Sequence, residues 1–146
     1  MNKPAKIIAY LLLASIIVFG LMQLIPFGKD HSNPPVVQEP DWDSAETRAL
    51  VKRACFDCHS HETVWPWYSN IAPSSWLVQR DVERGRKKMN FSDWGRRSED
   101  AEEIREVILE GEMPLPTYLL MHAEARLTEE EKLRLIEGFM RSLPED

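Results

Sequence analysis

The sequence predicts an all-α protein, a small helical domain preceded by a single N-terminal transmembrane helix. Three observations predict it. Residues Ile7 to Phe27 run for 21 positions without a charge. The remainder places apolar residues at three- and four-residue spacing between helix caps, with little strand alternation. Of 146 residues, 43% are hydrophobic and 29% charged. That balance fits one folded domain with an appendage, and neither a disordered tail nor a polytopic membrane protein.

Lys3 and Lys6 are the only charged side chains before Lys29, and all 24 acids lie at or beyond Asp30. A helix rising about 1.5 Å per residue needs roughly 20 apolar residues to cross a hydrocarbon core of about 30 Å, so the uncharged run suffices. Positive charge ahead of the run holds the N-terminus in the cytoplasm. Residues 1–27 are therefore expected to be a single-pass signal anchor in the cytoplasmic (inner) membrane, with the body facing the periplasm. A cleaved signal peptide is the competing reading, although the run exceeds a usual signal core and no small-x-small site follows. Both place the body outside the cytoplasm. That body carries eight excess negative charges, which argues against nucleic-acid binding.

Residues 28–42, GKDHSNPPVVQEPDW, hold three prolines and are expected to form an extended linker, with His31 solvated. The domain proper, residues 43–146, reads as four helices. The first begins at Asp43 as cap, with Glu46 three residues on and Ala45, Ala49, Leu50 and Ala54 at helical spacing. The second runs from Ser74 to about Lys88, with Trp76, Leu77 and Val82 inward and Gly85 weakening it. A third starts near Ser98, turns Ile104, Val107 and Ile108 inward, and stops at Gly111. The last opens on a Thr128–Glu131 capping box and repeats Leu133, Ile136, Met140 and Leu143 along one face until Pro144. Four modest helices make a thin core for about a hundred residues, and such a chain gains from something bulky and apolar inside.

The only two cysteines stand in Cys55-Phe56-Asp57-Cys58-His59, the C-x-x-C-H arrangement of c-type haem attachment. Each thiol adds to one haem vinyl group, and the next residue stands under the iron as the proximal ligand. One covalently held haem c per chain is the expectation. A thioredoxin-like dithiol would want a βαβ setting, and zinc a second ligand pair where only His61 lies near.

Iron that transfers electrons takes a second side-chain ligand. The candidates are Met89, Met113, Met121, Met140, His61 and His122. His61 sits too close to His59 to cross to the opposite face, and Met140 reads as core. Met113 is preferred, because Gly111-Glu112-Met113-Pro114-Leu115-Pro116 is a proline-stiffened loop directly after a helix stop, which lowers the entropy cost of presenting a weak thioether.

At these residues the chain resembles the class I c-type cytochromes: a helix entering Cys-x-x-Cys-His, a later Gly-x-Met-Pro loop and a capped C-terminal helix. The segment from Cys55 to Trp94 is similar, more closely, to the bacterial haem-binding domain family. The motifs are Trp65 to Tyr68, Ala72 to Leu77 and Asn90 to Trp94, with GEMPLPTYLLMHAEARL resembling the family's later segment. The resemblance covers about residue 42 to the end. It implies a cytochrome c-like fold whose first and last helices cross beside a covalent haem, in an exported and often membrane-anchored protein. It implies little about the redox partner.

Trp65, Trp67, Tyr68, Trp76, Phe91 and Trp94 are read as an aromatic wall around the macrocycle, with core packing as the plainer alternative. Arg80, Arg84, Arg86, Lys87, Lys88, Arg96 and Arg97 form the one basic cluster, read as a solvated face or as partner to propionates, headgroups or an acidic protein. Glu129 to Glu131 suit the dipole of the last helix. The reading that follows is a membrane-anchored mono-haem electron carrier, held by Cys55, Cys58, His59 and Met113, with no catalytic residue assigned. A haem peroxidase, or a gas or redox sensor with an open distal position, is the alternative.

Overall fold

The computed structural model of the chain describes residues 2–95 and 101–143. Among the described residues the regular elements are helical, as the sequence predicts, and the one strand-like feature is an isolated bridge between Gln38 and Asp93. The α-helices are α1 (Lys3–Met22), α2 (Ala45–Ala54), α3 (Phe56–His59), α4 (Ser74–Lys88), α5 (Ala101–Leu109), α6 (Pro116–Leu119) and α7 (Glu129–Ser142). Two 3-10 turns, Trp67–Asn70 and Ala123–Ala125, complete the set. Ser98, Arg96, Arg97 and Pro144, which entered the sequence reading, lie outside the described residues.

The chain divides into two compact units: Met1–Ser32 with Trp65–Asp81, and Asn33–Val64 with Val82–Asp146. In the first unit, α1 is capped by Asn2 and is apolar enough to cross a membrane, with none of its residues buried. The helix stops at Met22, short of the end of the apolar run, because Pro26 and Gly28 (φ +80°) turn the chain. The Gln23 amide then pairs with both backbone groups of Ala72, accepting from its N–H at 2.9 Å and donating to its carbonyl at 3.0 Å. A side chain at Gly28 would overlap the backbone of Ser75. His31 is half-buried rather than solvated. Its ring stacks on Trp65 at 4.6 Å, and Nε2 lies 3.1 Å from the Ser69 carbonyl.

The second unit holds the apolar core, in which α7 packs against both α2 and α5. Ser44, not Asp43, caps α2, its hydroxyl accepting from the Thr47 N–H at 3.1 Å. Asp43 stands one residue outside and donates its own N–H to Ser142 Oγ, while Glu46 pairs with Arg134. Leu50, Val51 and Ala54 face inward, and Ala45 and Ala49 are exposed. The Thr128–Glu131 capping box of α7 is present as expected. Its buried stripe is Leu135, Ile136, Phe139 and Leu143, and Leu133 and Met140 are exposed, contrary to the sequence reading. At about 100° per residue those two fall at one edge of the apolar arc, and the neighbours that bury the helix lie on Phe139's side. Where α7 meets α2, a side chain at Gly138 would collide with Thr47, so close approach requires glycine there. The 33–42 segment is extended but tied down: Val37 N–H donates to the Ser92 carbonyl, and Glu39 binds Arg48 and Trp42.

Candidate functional site

The site grows from the junction of α2 and α3. Cys55 closes α2 by donating its N–H to the Val51 carbonyl at 2.8 Å, and its own carbonyl starts the next turn by accepting from His59 at 2.9 Å. Cys55, Cys58 and His59 therefore stand at i, i+3 and i+4, the spacing that shares one helical face. Phe56, fully buried, stacks on Phe91 at 5.8 Å and roots the short helix in the core. Burial pushes the Cys55 thiol up to about 12, with Cys58 adding to the rise. That is the reverse of an activated dithiol.

Gly85 on α4 explains itself here. A Cβ at that position would run into the carbonyl of Cys58, so the residue that weakens the helix by propensity is the one that lets it approach the cysteine segment. The approach delivers the Met89 carbonyl to 3.2 Å from His59 Nδ1. With Nδ1–H donating there, Nε2 is left as the lone-pair nitrogen, the arrangement metal-binding histidines use. Burial lowers the His59 pKa, favouring the neutral ring, against the opposing pull of the Met89 and Gly85 carbonyls.

A polar network fastens the rest of this segment. Arg86 donates from Nε to the Ser60 carbonyl at 2.8 Å, and from its other arm to Asn33 Oδ1 and Thr63 Oγ1. It is half-buried, so it is not part of a solvated face. Arg80 pairs with Asp81, and Lys88 with Glu103. Asp57 accepts from the Val64 N–H at 2.9 Å and from the Tyr118 hydroxyl at 2.7 Å. Burial first, and then Asp57, raise the Tyr118 phenol well above its ordinary range and keep it a donor.

The Met113 loop is shaped by the end of α5. Gly111, at φ +74°, donates to the Ile108 carbonyl, and Glu112 donates back to Val107 at 2.9 Å, a Schellman closure that needs the left-handed residue. Met113 N–H adds a third bond, 3.0 Å to the same Val107 carbonyl.

Between these pieces lies a cleft of about 640 Å³, which takes in some open solvent. Ala54, Ile104, Val107, Ile108, Pro114 and Phe139 give it apolar walls, and the Lys88–Glu103 pair supplies its charge. Cys55, His59, Met89 and Met113 line it together. Of the six distal candidates, only Met89 and Met113 reach it. His61 has both ring nitrogens engaged, by Pro35 O at 2.9 Å and Asn90 Nδ2 at 2.8 Å. His122 stacks on Tyr118 and bonds Glu124, while Met121 and Met140 are exposed. The expected aromatic wall is not what lines the cleft. Phe139 is its aromatic residue, Phe91 and Trp94 belong to the core cluster, and Trp65, Trp67, Tyr68 and Trp76 belong to the first unit. Sequence reading passed over Phe139, Asp57 and Tyr118. Only the three-residue step from Ile136 hinted at Phe139.

An all-helical fold with an apolar cleft, lined by a histidine and a thioether, has the features of a haem-binding protein. Residues 17–141 match the model of a family described as a haem-binding domain, and the chain belongs to that family. Neither a curated protein nor a solved structure matches the chain.

Proposed function

We propose that the chain is a membrane-anchored, mono-haem c-type cytochrome that passes single electrons at the outer, periplasmic face of the cytoplasmic membrane. The observation that carries the reading is the meeting of Cys55, His59 and Met113 on one apolar cleft. Cys55 and Cys58 would hold the group by thioethers, and His59 Nε2 and Met113 Sδ would ligate its iron. Bound haem supplies a one-electron couple whose potential a thioether ligand raises. The chain's own residues do the rest. Met89 fixes the His59 tautomer, the Gly111 closure presents Met113, and the apolar walls exclude water. An enzyme would need a free acid or base at the distal position, and the commitments of His61 and His122 favour the carrier. The 20-residue α1, with Lys3 and Lys6 at its start, supports the anchor and its orientation.

Replacing Met113 by Ala tests the site. The expected outcome is a high-spin spectrum, rapid cyanide or carbon monoxide binding and a lower potential, with Met89→Ala and Met121→Ala remaining low-spin. A Met113→Ala protein with the wild-type spectrum refutes the ligand assignment. Haem extracted freely by acidic organic solvent from the denatured wild type refutes covalent attachment. Protease digestion of the domain in intact spheroplasts is the expected topology result, and protection of the whole chain reverses the orientation.

A further inference from the structure

Fifteen consecutive residues, Trp65 to Gln79, carry no charge, in a body otherwise dense in charge. They form one compact unit with α1 and the turn that follows it. The Gln23 amide grips Ala72 through both its backbone groups, and Gly28 lies against Ser75. These contacts fix the height of the segment relative to α1. Twenty residues at about 1.5 Å each span the ~30 Å hydrocarbon core, so the core ends near Met22 and the headgroup layer fills roughly the next 5–7 Å. Ala72 and Ser75, in contact with residues 23–28, lie within that layer.

The side chains around them suit it. Trp67 is 71% exposed, Leu77 51% and Ile71 38%, and Tyr68 meets Trp67 edge-on at 5.8 Å. Leu24 and Phe27, past the end of α1, are exposed too. Indole and phenol rings concentrate where membrane meets water, because each has an apolar body and a polar edge. A protein tethered by α1 also keeps this patch at high local concentration beside the bilayer.

We propose that residues 65–79 form a second membrane contact, seating Trp67 and Ile71 in the headgroup layer of the bilayer that α1 crosses. The proposal rests on the anchor reading above. Its occupant is lipid rather than a protein, because the gripping contacts place the segment at the bilayer surface wherever the domain goes.

The test uses the full chain in vesicles of phosphatidylcholine and phosphatidylglycerol. A photo-crosslinking benzophenone amino acid is placed in turn at Leu12, Trp67, Ile71 and Leu133, and adducts are read by mass spectrometry. Leu133 is exposed on α7 and serves as the solvent control. Lipid adducts at Leu12, Trp67 and Ile71, and none at Leu133, are expected. Adducts at Leu12 alone overturn the proposal while leaving the anchor standing, and would free the patch for a protein partner. No adduct at Leu12 removes the anchor and the proposal together.

Discussion

The His59 wall of the cleft is pinned by side chains, whereas the Met113 wall is held by backbone. On the first, Met89 takes the ring, Arg86 ties Ser60 and Thr63, Asp57 caps Val64, and Phe56 anchors from beneath. On the second, three N–H bonds to Ile108 and Val107 set the loop, and no side-chain bond of Met113 itself adds to them. Tyr118 to Asp57 is one polar strap between the walls, and Lys88 to Glu103 is another. The lesson is one of division: the histidine is placed by its neighbours' bonds, while the thioether stands on a loop that three backbone bonds shape. On the proposed reading, a weak ligand on a lightly held loop would set potential and lability, and a strong ligand on a braced helix would set attachment.

That contrast can be broken most severely at Gly85. Gly85→Ala should cost about 2–3 kcal/mol, because the added methyl meets Cys58 backbone that cannot swing away. Urea unfolding should register it, together with lower haem incorporation. Cutting the strap comes next. Tyr118→Phe leaves a carboxylate acceptor unmatched, a loss of about 1.5–2 kcal/mol. It should raise the rate of carbon monoxide binding while leaving the His59 side low-spin in imidazole. An unchanged rate would mean that the Tyr118 hydroxyl does not restrain the loop.

Gly111→Ala sharpens the comparison from the other side. No atom lies within 4 Å of the new methyl, so its cost is purely the left-handed backbone, about 1 kcal/mol. The expected result is a small stability loss with a larger high-spin fraction. The smallest effect belongs to Glu39, which ties the extended 33–42 segment to α2. Its carboxyl is held below the usual value of 4.5 chiefly by the Arg48 hydrogen bond, with Trp42 and Coulomb attraction helping against burial. A depressed folded value stabilises above the unfolded pKa, and that contribution is lost as pH falls through the folded one. Glu39→Gln should therefore cost under about 1 kcal/mol at neutral pH, since Arg48 is partly solvated, and nothing in strong acid. A difference between the two proteins that grows on acidification would contradict the assignment.

Much of this was legible in the residues, for reasons that are themselves physical. Spacing singled out Cys55, Cys58 and His59, and the glycine and prolines around it singled out Met113; of these, Cys55, His59 and Met113 line one cleft. Helix α4 and the α7 capping box follow from local chemistry. What escaped depends on neighbours. Ser44 is the cap, and Asp43 lies one residue outside, its N–H donated to Ser142, 99 residues away. Leu133 and Met140 are apolar and correctly periodic, yet the side of α7 that is buried is decided by α2 and α5. Gly85 reads as a flaw in a helix until Cys58 is beside it. His31 and Arg86 look like solvated linker and solvated face, and each is held by a backbone carbonyl more than 25 residues distant.

The meeting of Gly138 with Thr47 has a consequence for assembly in time. It joins α2, which Cys55 closes, to α7, and a contact that spans so much sequence forms late. As the chain is made from its N-terminus, the cysteine pair therefore appears well before the partner that seals the core beneath it. For that interval Cys55 and Cys58 stand on an unsupported segment, open to the machinery that would join them to a cofactor. The same seam makes the fourteen residues of α7 a support for α2, so that losing them unfastens the helix that leads into Cys55.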